Sequence, residues 1–192
     1  MSSPDYHALP PDLPVPVDDG AADHLSGMRL PALALPSTFG GEQDLAEAAA
    51  RAGTLVLYIY PRTGTPGEPS PDGWDAIPGA RGCTPQSCAF RDHAGELAAL
   101  GAQVLGLSAQ PATEQTAFAT REQLPFALLS DPELRLATAL RLPTFEVAGW
   151  RLYKRVTLVV RDGAIVKAFY PVFPPDRNAI EVAAWLRERD RR

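Results

Sequence analysis

Thr54-Leu55-Val56-Leu57-Tyr58-Ile59-Tyr60 is an unbroken apolar run, stopped by Pro61. Strands that lack polar alternation are buried on both faces, as in a sheet covered by helices. Upstream, Leu45 to Ala52 has helical spacing and ends at Gly53. Before that, Leu30 to Leu35 reads as an edge strand, because Pro31 and Pro36 bar it from a central position. Downstream, Phe90, Ala94, Leu97 and Ala98 mark the face of one helix that Gly101 ends. A strand over Gln103–Leu107, a helix over Thr113–Gln123 and a strand over Phe126–Leu129 follow. Asp131-Pro132 then opens a helix from Glu133 to Leu140, with an acidic cap and Pro at the first helical position. Phe145–Lys154 gives no clear element. Val156–Val160 and Ile165–Phe169 form a hairpin about Asp162-Gly163. Asp176–Leu186 is the closing helix, with Ile180, Ala184 and Trp185 turned inward. Alternation first and a hairpin last predicts an α/β fold, a central mixed β-sheet flanked by helices.

The chain has 192 residues, enough for one domain with its own core. Residues 1–26, rich in Pro and Asp, read as an extended N-terminal arm, and 27–192 as the domain. Within it, Arg62 to Gly82 is a long Pro- and Gly-rich loop, a length that in compact domains is usually functional or disordered. A net charge of −5 without a basic stripe argues against nucleic acid and anionic membrane as partners. No apolar run approaches the roughly 18 residues that span a bilayer. The N-terminus lacks a charged-then-apolar leader pattern, so a cytoplasmic location is expected, where structural disulfides are rare.

The two cysteines of the chain lie in Gly82-Cys83-Thr84-Pro85-Gln86-Ser87-Cys88, at a loop-to-helix junction. Pro85 favours a helix whose first turn lies close to Cys83. Unpaired N–H groups and the positive end of the helix dipole stabilise a thiolate there. In a regular helix Cys88 would sit roughly 7.5 Å further along the axis and about 140° around it. A disulfide needs Cα atoms within about 4.4–6.8 Å. A Cys83–Cys88 bond therefore requires the first turn to unwind. Three blander readings stand beside this redox one: Cys88 as a buried core thiol, the pair with His93 as a metal site, and two inert cysteines.

Gly82-Cys83-Thr84-Pro85-Gln86-Ser87-Cys88-Ala89-Phe90-Arg91-Asp92 resembles the peroxidatic segment of the Q-type peroxiredoxins, the bacterioferritin-comigratory group. Leu124-Pro125-Phe126, Leu128-Leu129-Ser130-Asp131 and Arg155-Val156-Thr157-Leu158-Val159 resemble the family's later strands, and the likeness runs from about Leu30 to Leu186. The resemblance implies a thioredoxin-like fold and reduction of hydrogen peroxide and organic hydroperoxides with no metal and no organic cofactor. It implies Cys83 as the peroxidatic cysteine, Cys88 as the resolving one and Arg155 as the active-site arginine. It also implies a thioredoxin-like protein as reductant. In the family a proline, three residues, a threonine and two residues precede the cysteine. Here Pro61 and Thr65 fit, but Cys83 comes much later, so 68–82 reads as an inserted loop. If it loops out, Pro61 and Thr65 approach Cys83; if not, Thr65 is a turn residue. The loop is expected to border the site, either as a lid with Trp74 and Ile77 packed down or as a mobile segment. A redox sensor using the same disulfide switch is the alternative function. A general thiol–disulfide oxidoreductase would carry Cys-x-x-Cys, which is missing. The sequence leaves monomer and dimer open.

Overall fold

The computed structural model describes residues 5–189. Residues 1–4 of the expected arm and 190–192 at the end of the expected domain lie outside that range. A short ribbon, β1 (Ala34–Pro36) antiparallel to β2 (Glu42–Asp44), leads into α1 (Leu45–Ala52). Asp44 caps α1 by accepting from the Glu47 N–H. The apolar run is β3 (Thr54–Ile59), buried at every position. After a long loop come α2 (Cys83–Asp92), α3 (Ala94–Ala99), β4 (Ala102–Ser108), α4 (Ala112–Arg121), β5 (Leu128–Ser130) and α5 (Arg135–Leu140). The chain ends with β6 (Thr144–Val147), β7 (Trp150–Tyr153), β8 (Val156–Arg161), β9 (Ala164–Phe169) and α6 (Asn178–Arg189).

Five strands form the central sheet in the order β5-β4-β3-β8-β9. β3, β4 and β5 run parallel, while β8 is antiparallel to β3 and to β9. β3 thus lies in the middle, and the period of two divides its side chains between two cores. Leu55, Leu57 and Ile59 join α1 and α5 on one face. Val56, Tyr58 and Tyr60 join α2, α3, α4 and α6 on the other, the face that holds Cys83.

Three expected elements differ. Leu30–Leu35 does not edge the central sheet; Arg29 alone bridges Ala164, and pairing resumes at Ala34 with β2. Backbone hydrogen bonds of Gly27, Met28 and Leu30 to Gly163 and Ile165 flank that bridge, and Pro31, which cannot donate to a ladder, follows directly after Leu30. The single helix expected through Phe90 and Ala98 is two, because the backbone leaves helical geometry at His93 (φ −102°, ψ 6°). In α6 the buried stripe is Ala179, Val182, Ala183 and Leu186, whereas Ile180 and Ala184 face outward. The branched side chains of Val182 and Leu186, four apart, set that face against the sheet. Trp185 is half-buried and meets Phe169 edge-on at 6.5 Å. The stretch 144–153, without a clear element in sequence, is the β6–β7 hairpin.

Candidate active site

Gly82 (φ +100°) precedes the first residue of α2, so Cys83 stands at the helix start. The positive φ and the close approach of Pro175 and Leu9 leave no room for a Cβ at Gly82. Cys83 is 3 % exposed yet lines a cavity of about 80 Å³ with Arg62, Thr63, Thr65, Arg81 and Trp150 among its walls. One water occupies roughly 10–15 Å³ of such space, so a molecule of a few heavy atoms fits.

Arg155, between β7 and β8, reaches across from the sheet. Its Nη2 donates to Cys83 Sγ at 3.3 Å and lies within bonding distance of the Gly79, Ala80 and Arg81 carbonyls at 3.1–3.2 Å. Two hydrogens shared among four acceptors make each contact exchangeable. Nη1 donates to Gln86 Oε1 at 2.5 Å. Gln86 in turn donates to Asn178 Oδ1 at 3.0 Å, which also accepts from Thr157 at 2.7 Å. Arg155 is 3 % exposed, and among the described residues its Nε has no hydrogen-bond partner, a buried donor left over. Arg155 is thus tied both to α2, through Cys83 and Gln86, and to the loop before it, through the carbonyls of residues 79–81.

Thr65 is exposed and lines the same cavity as Cys83; its carbonyl accepts from Glu68 N–H at 3.0 Å in a turn. Pro61 is buried behind the loop, where its carbonyl accepts from the Ser108 hydroxyl at 2.9 Å. Gln110 clamps the segment between them by accepting from the Thr63 N–H and hydroxyl at 2.8 and 3.0 Å.

The stretch 68–82 is folded against the domain. Trp74 and Ala80 are buried with Val147 and Leu152 of the β6–β7 hairpin, and Ile77 packs beside them. The N-terminal segment crosses it: Tyr6 donates to the Glu68 carbonyl at 2.5 Å, and Arg81 lies 5.5 Å over the Tyr6 ring. Lys154 pairs with Asp19 at 2.8 Å, and hydrogen bonds from Lys154 and Tyr170 lower the Asp19 carboxyl to about 2.

Cys88 stands in other surroundings. Both thiols are free and α2 is continuous between them. Cys88 donates to Glu122 Oε2 at 3.7 Å. Burial pushes its thiol up to about 11; Arg91 pulls against that rise and Glu122 adds to it. Glu122, 5 % exposed, is paired with Arg121 at 3.0 Å.

A buried thiol at a helix start, bonded to an arginine and open to a small cavity, accompanies a thioredoxin-like sheet. The redoxin family matches residues 25–183. A candidate peroxiredoxin of Mycobacterium tuberculosis is 33 % identical over 160 residues, covering 76 % of this chain and 85 % of that one. The chain belongs to the redoxin family, as a Q-type peroxiredoxin. Chloroplastic peroxiredoxin Q of Arabidopsis thaliana is 32 % identical over 133 residues, 69 % of this chain and 54 % of that protein. Peroxidoxin BcpB from M. tuberculosis superposes with a TM-score of 0.69 at 28 % identity, over 85 % of this chain and 96 % of that one. The protein is accordingly a thiol peroxidase of thioredoxin-like fold. As a peroxiredoxin it takes a hydroperoxide and needs a reductant. Among the described residues no helix is long and apolar enough to cross a membrane.

Sequence reasoning did not find Gln86, Asn178, Gln110 or Glu122. Gln86 and Ser87 are polar residues on the inner face of α2, and buried polar side chains next to a helix-start thiol were a usable signal. Asn178 and Glu122 come from distant segments, and nothing local marks them.

Proposed function

We propose that Cys83 is the peroxidatic cysteine, Cys88 the resolving one and Arg155 the active-site arginine. The observation that carries this is the Arg155 Nη2 to Cys83 Sγ contact at 3.3 Å beside the cavity. A fixed cation next to sulfur favours thiolate, and Arg keeps its charge at every working pH. The thiolate attacks one peroxide oxygen, the O–O bond breaks, and the alkoxide or hydroxide leaves with a proton as alcohol or water. Cys83 is then a sulfenic acid. Helix-start N–H groups, Arg155 and the Thr65 hydroxyl stabilise the charge on the two oxygens. Pro61 shapes the turn that carries Thr65.

The first turns of α2 then open and Cys88 attacks the sulfenic sulfur. The S–O bond breaks, one disulfide forms and water leaves. A thioredoxin-like protein in the cytoplasm reduces the disulfide by exchange. Residues 68–82 are an ordered lid whose carbonyls hold Arg155. Stopped-flow reduction of hydrogen peroxide and of an organic hydroperoxide by pre-reduced protein tests the scheme. Cys88→Ser should keep one fast turnover and lose recycling by thioredoxin. Normal cycling by that variant would remove Cys88 from the mechanism.

A further inference from the structure

His7, Cys88 and Glu122 converge on one point on the flank of α2 away from Arg155. One donor atom from each, a ring nitrogen, a sulfur and a carboxylate oxygen, lies within 4.8 Å of the other two. Cys88 Sγ is 3.7 Å from Glu122 Oε2, and His7 Nε2 is 3.7 Å from the same oxygen. Around a tetrahedral zinc with bonds of about 2.0–2.3 Å, neighbouring donor atoms sit roughly 3.3–3.8 Å apart. Both separations match an edge of that tetrahedron. Arg121 Nε holds the other oxygen, Oε1, at 3.0 Å, which fixes the carboxylate as an outer partner fixes a metal ligand. Arg91, the nearby cation, is tied to Asp92 at 2.9 Å and to the Glu122 carbonyl at 2.8 Å.

We infer that His7, Cys88 and Glu122 bind a divalent zinc-class cation, with a fourth position open to water. The mixed sulfur, nitrogen and oxygen set selects such an ion over calcium or magnesium, which take oxygen ligands. The metal displaces the Cys88 proton and joins α2, the end of α4 and the N-terminal arm. It therefore holds in place the turn that carries Cys88.

The consequence for turnover rests on the cysteine roles proposed above. With Cys83 as sulfenic acid, the Cys88 thiolate leaves the metal and attacks sulfur. The S–O bond breaks, hydroxide takes up one proton as water, and the products are disulfide, water and the released cation. The sulfenic acid, made by the hydroperoxide, is the oxidant. Bound metal then slows resolution and links peroxide to metal release.

The test uses the tag-free, reduced full chain without peroxide, so its outcome is independent of the peroxidase scheme. Zn²⁺ is titrated anaerobically in competition with a chromophoric chelator. One Zn²⁺ per chain is expected, and His7→Ala and Cys88→Ser should each weaken it at least ~10-fold. Cys83→Ser should bind as the parent does. His7 is exposed, so its removal leaves the fold intact. Zn²⁺ should also slow iodoacetamide labelling of Cys88 about tenfold, read by peptide mass spectrometry. No binding, binding unchanged by His7→Ala, or binding lost in Cys83→Ser would each overturn the site.

Discussion

Cys83 and Cys88 lie five apart in one helix, yet one sulfur is 3.3 Å from a guanidinium and the other 3.7 Å from a carboxylate. Cys83 is the first residue of α2, at the positive end of the helix dipole, and opens to a cavity. Cys88 sits one turn and a half on, against the end of α4, with its thiol pushed up to about 11. Position on the helix, not residue type, therefore sets the surroundings of each sulfur. The contrast suits a thiol that meets the oxidant first and one that stays protonated until the helix opens.

Removing the reactive end should have the largest effect. Cys83→Ser should lower peroxide consumption by at least ~10³-fold in a steady-state assay. Retained turnover would reverse the two roles. Arg155→Met should slow the peroxide step by about 10²–10³-fold in single-turnover stopped flow, the scale expected for one charged donor. An unchanged rate would mean that Arg155 serves to hold the lid carbonyls instead of activating sulfur.

At the other end of the comparison the effects are smaller. In the presence of a metal chelator, alkylation of Cys88 in Cys83→Ser should rise about tenfold per pH unit until near the value of about 11. Glu122→Gln removes an acceptor and a neighbouring charge, and should speed labelling at neutral pH about fivefold by mass spectrometry. Unchanged labelling would remove Glu122 from the causes of the raised thiol and leave burial and Asp92. The smallest effect belongs to the arm that touches both regions, with Tyr6 at the Cys83 cavity and His7 at Glu122. Asp19, lowered to about 2, binds its proton less tightly in the folded chain. Its contribution is present above about pH 4 and is lost as pH falls toward 2. Asp19 is 46 % exposed, so the contribution is below ~1 kcal/mol, and Asp19→Asn should flatten that part of the acid unfolding curve.

Much of this was legible in the sequence, for reasons that differ by region. The run at 54–60 had to be a central strand because no polar residue interrupts it, and the hairpin at 156–169 was marked by its Asp-Gly turn. Cys83 stood out by local chemistry, at the start of a helix pattern, whereas Arg155 was named by family likeness alone. The facing of α6 was missed because alanines on several sides blur the apolar stripe, and packing on the sheet chose Val182 and Leu186. The break at His93 was hidden because Phe90, Ala94, Leu97 and Ala98 keep one helical spacing across it, although Asp92 and Gly95 beside it are poor helix formers. Glu122 and Gln86 owe their importance to contacts 34 and 69 residues away in sequence, and no window of local pattern contains those.

The most direct test is to add one equivalent of hydrogen peroxide to the reduced protein, quench in acid and map the disulfide by peptide mass spectrometry. A single Cys83–Cys88 bond within one chain, formed together with loss of amide protection over the first turns of α2, is the predicted result. A persistent sulfenic acid, or a bond between two chains with α2 still protected, would contradict it.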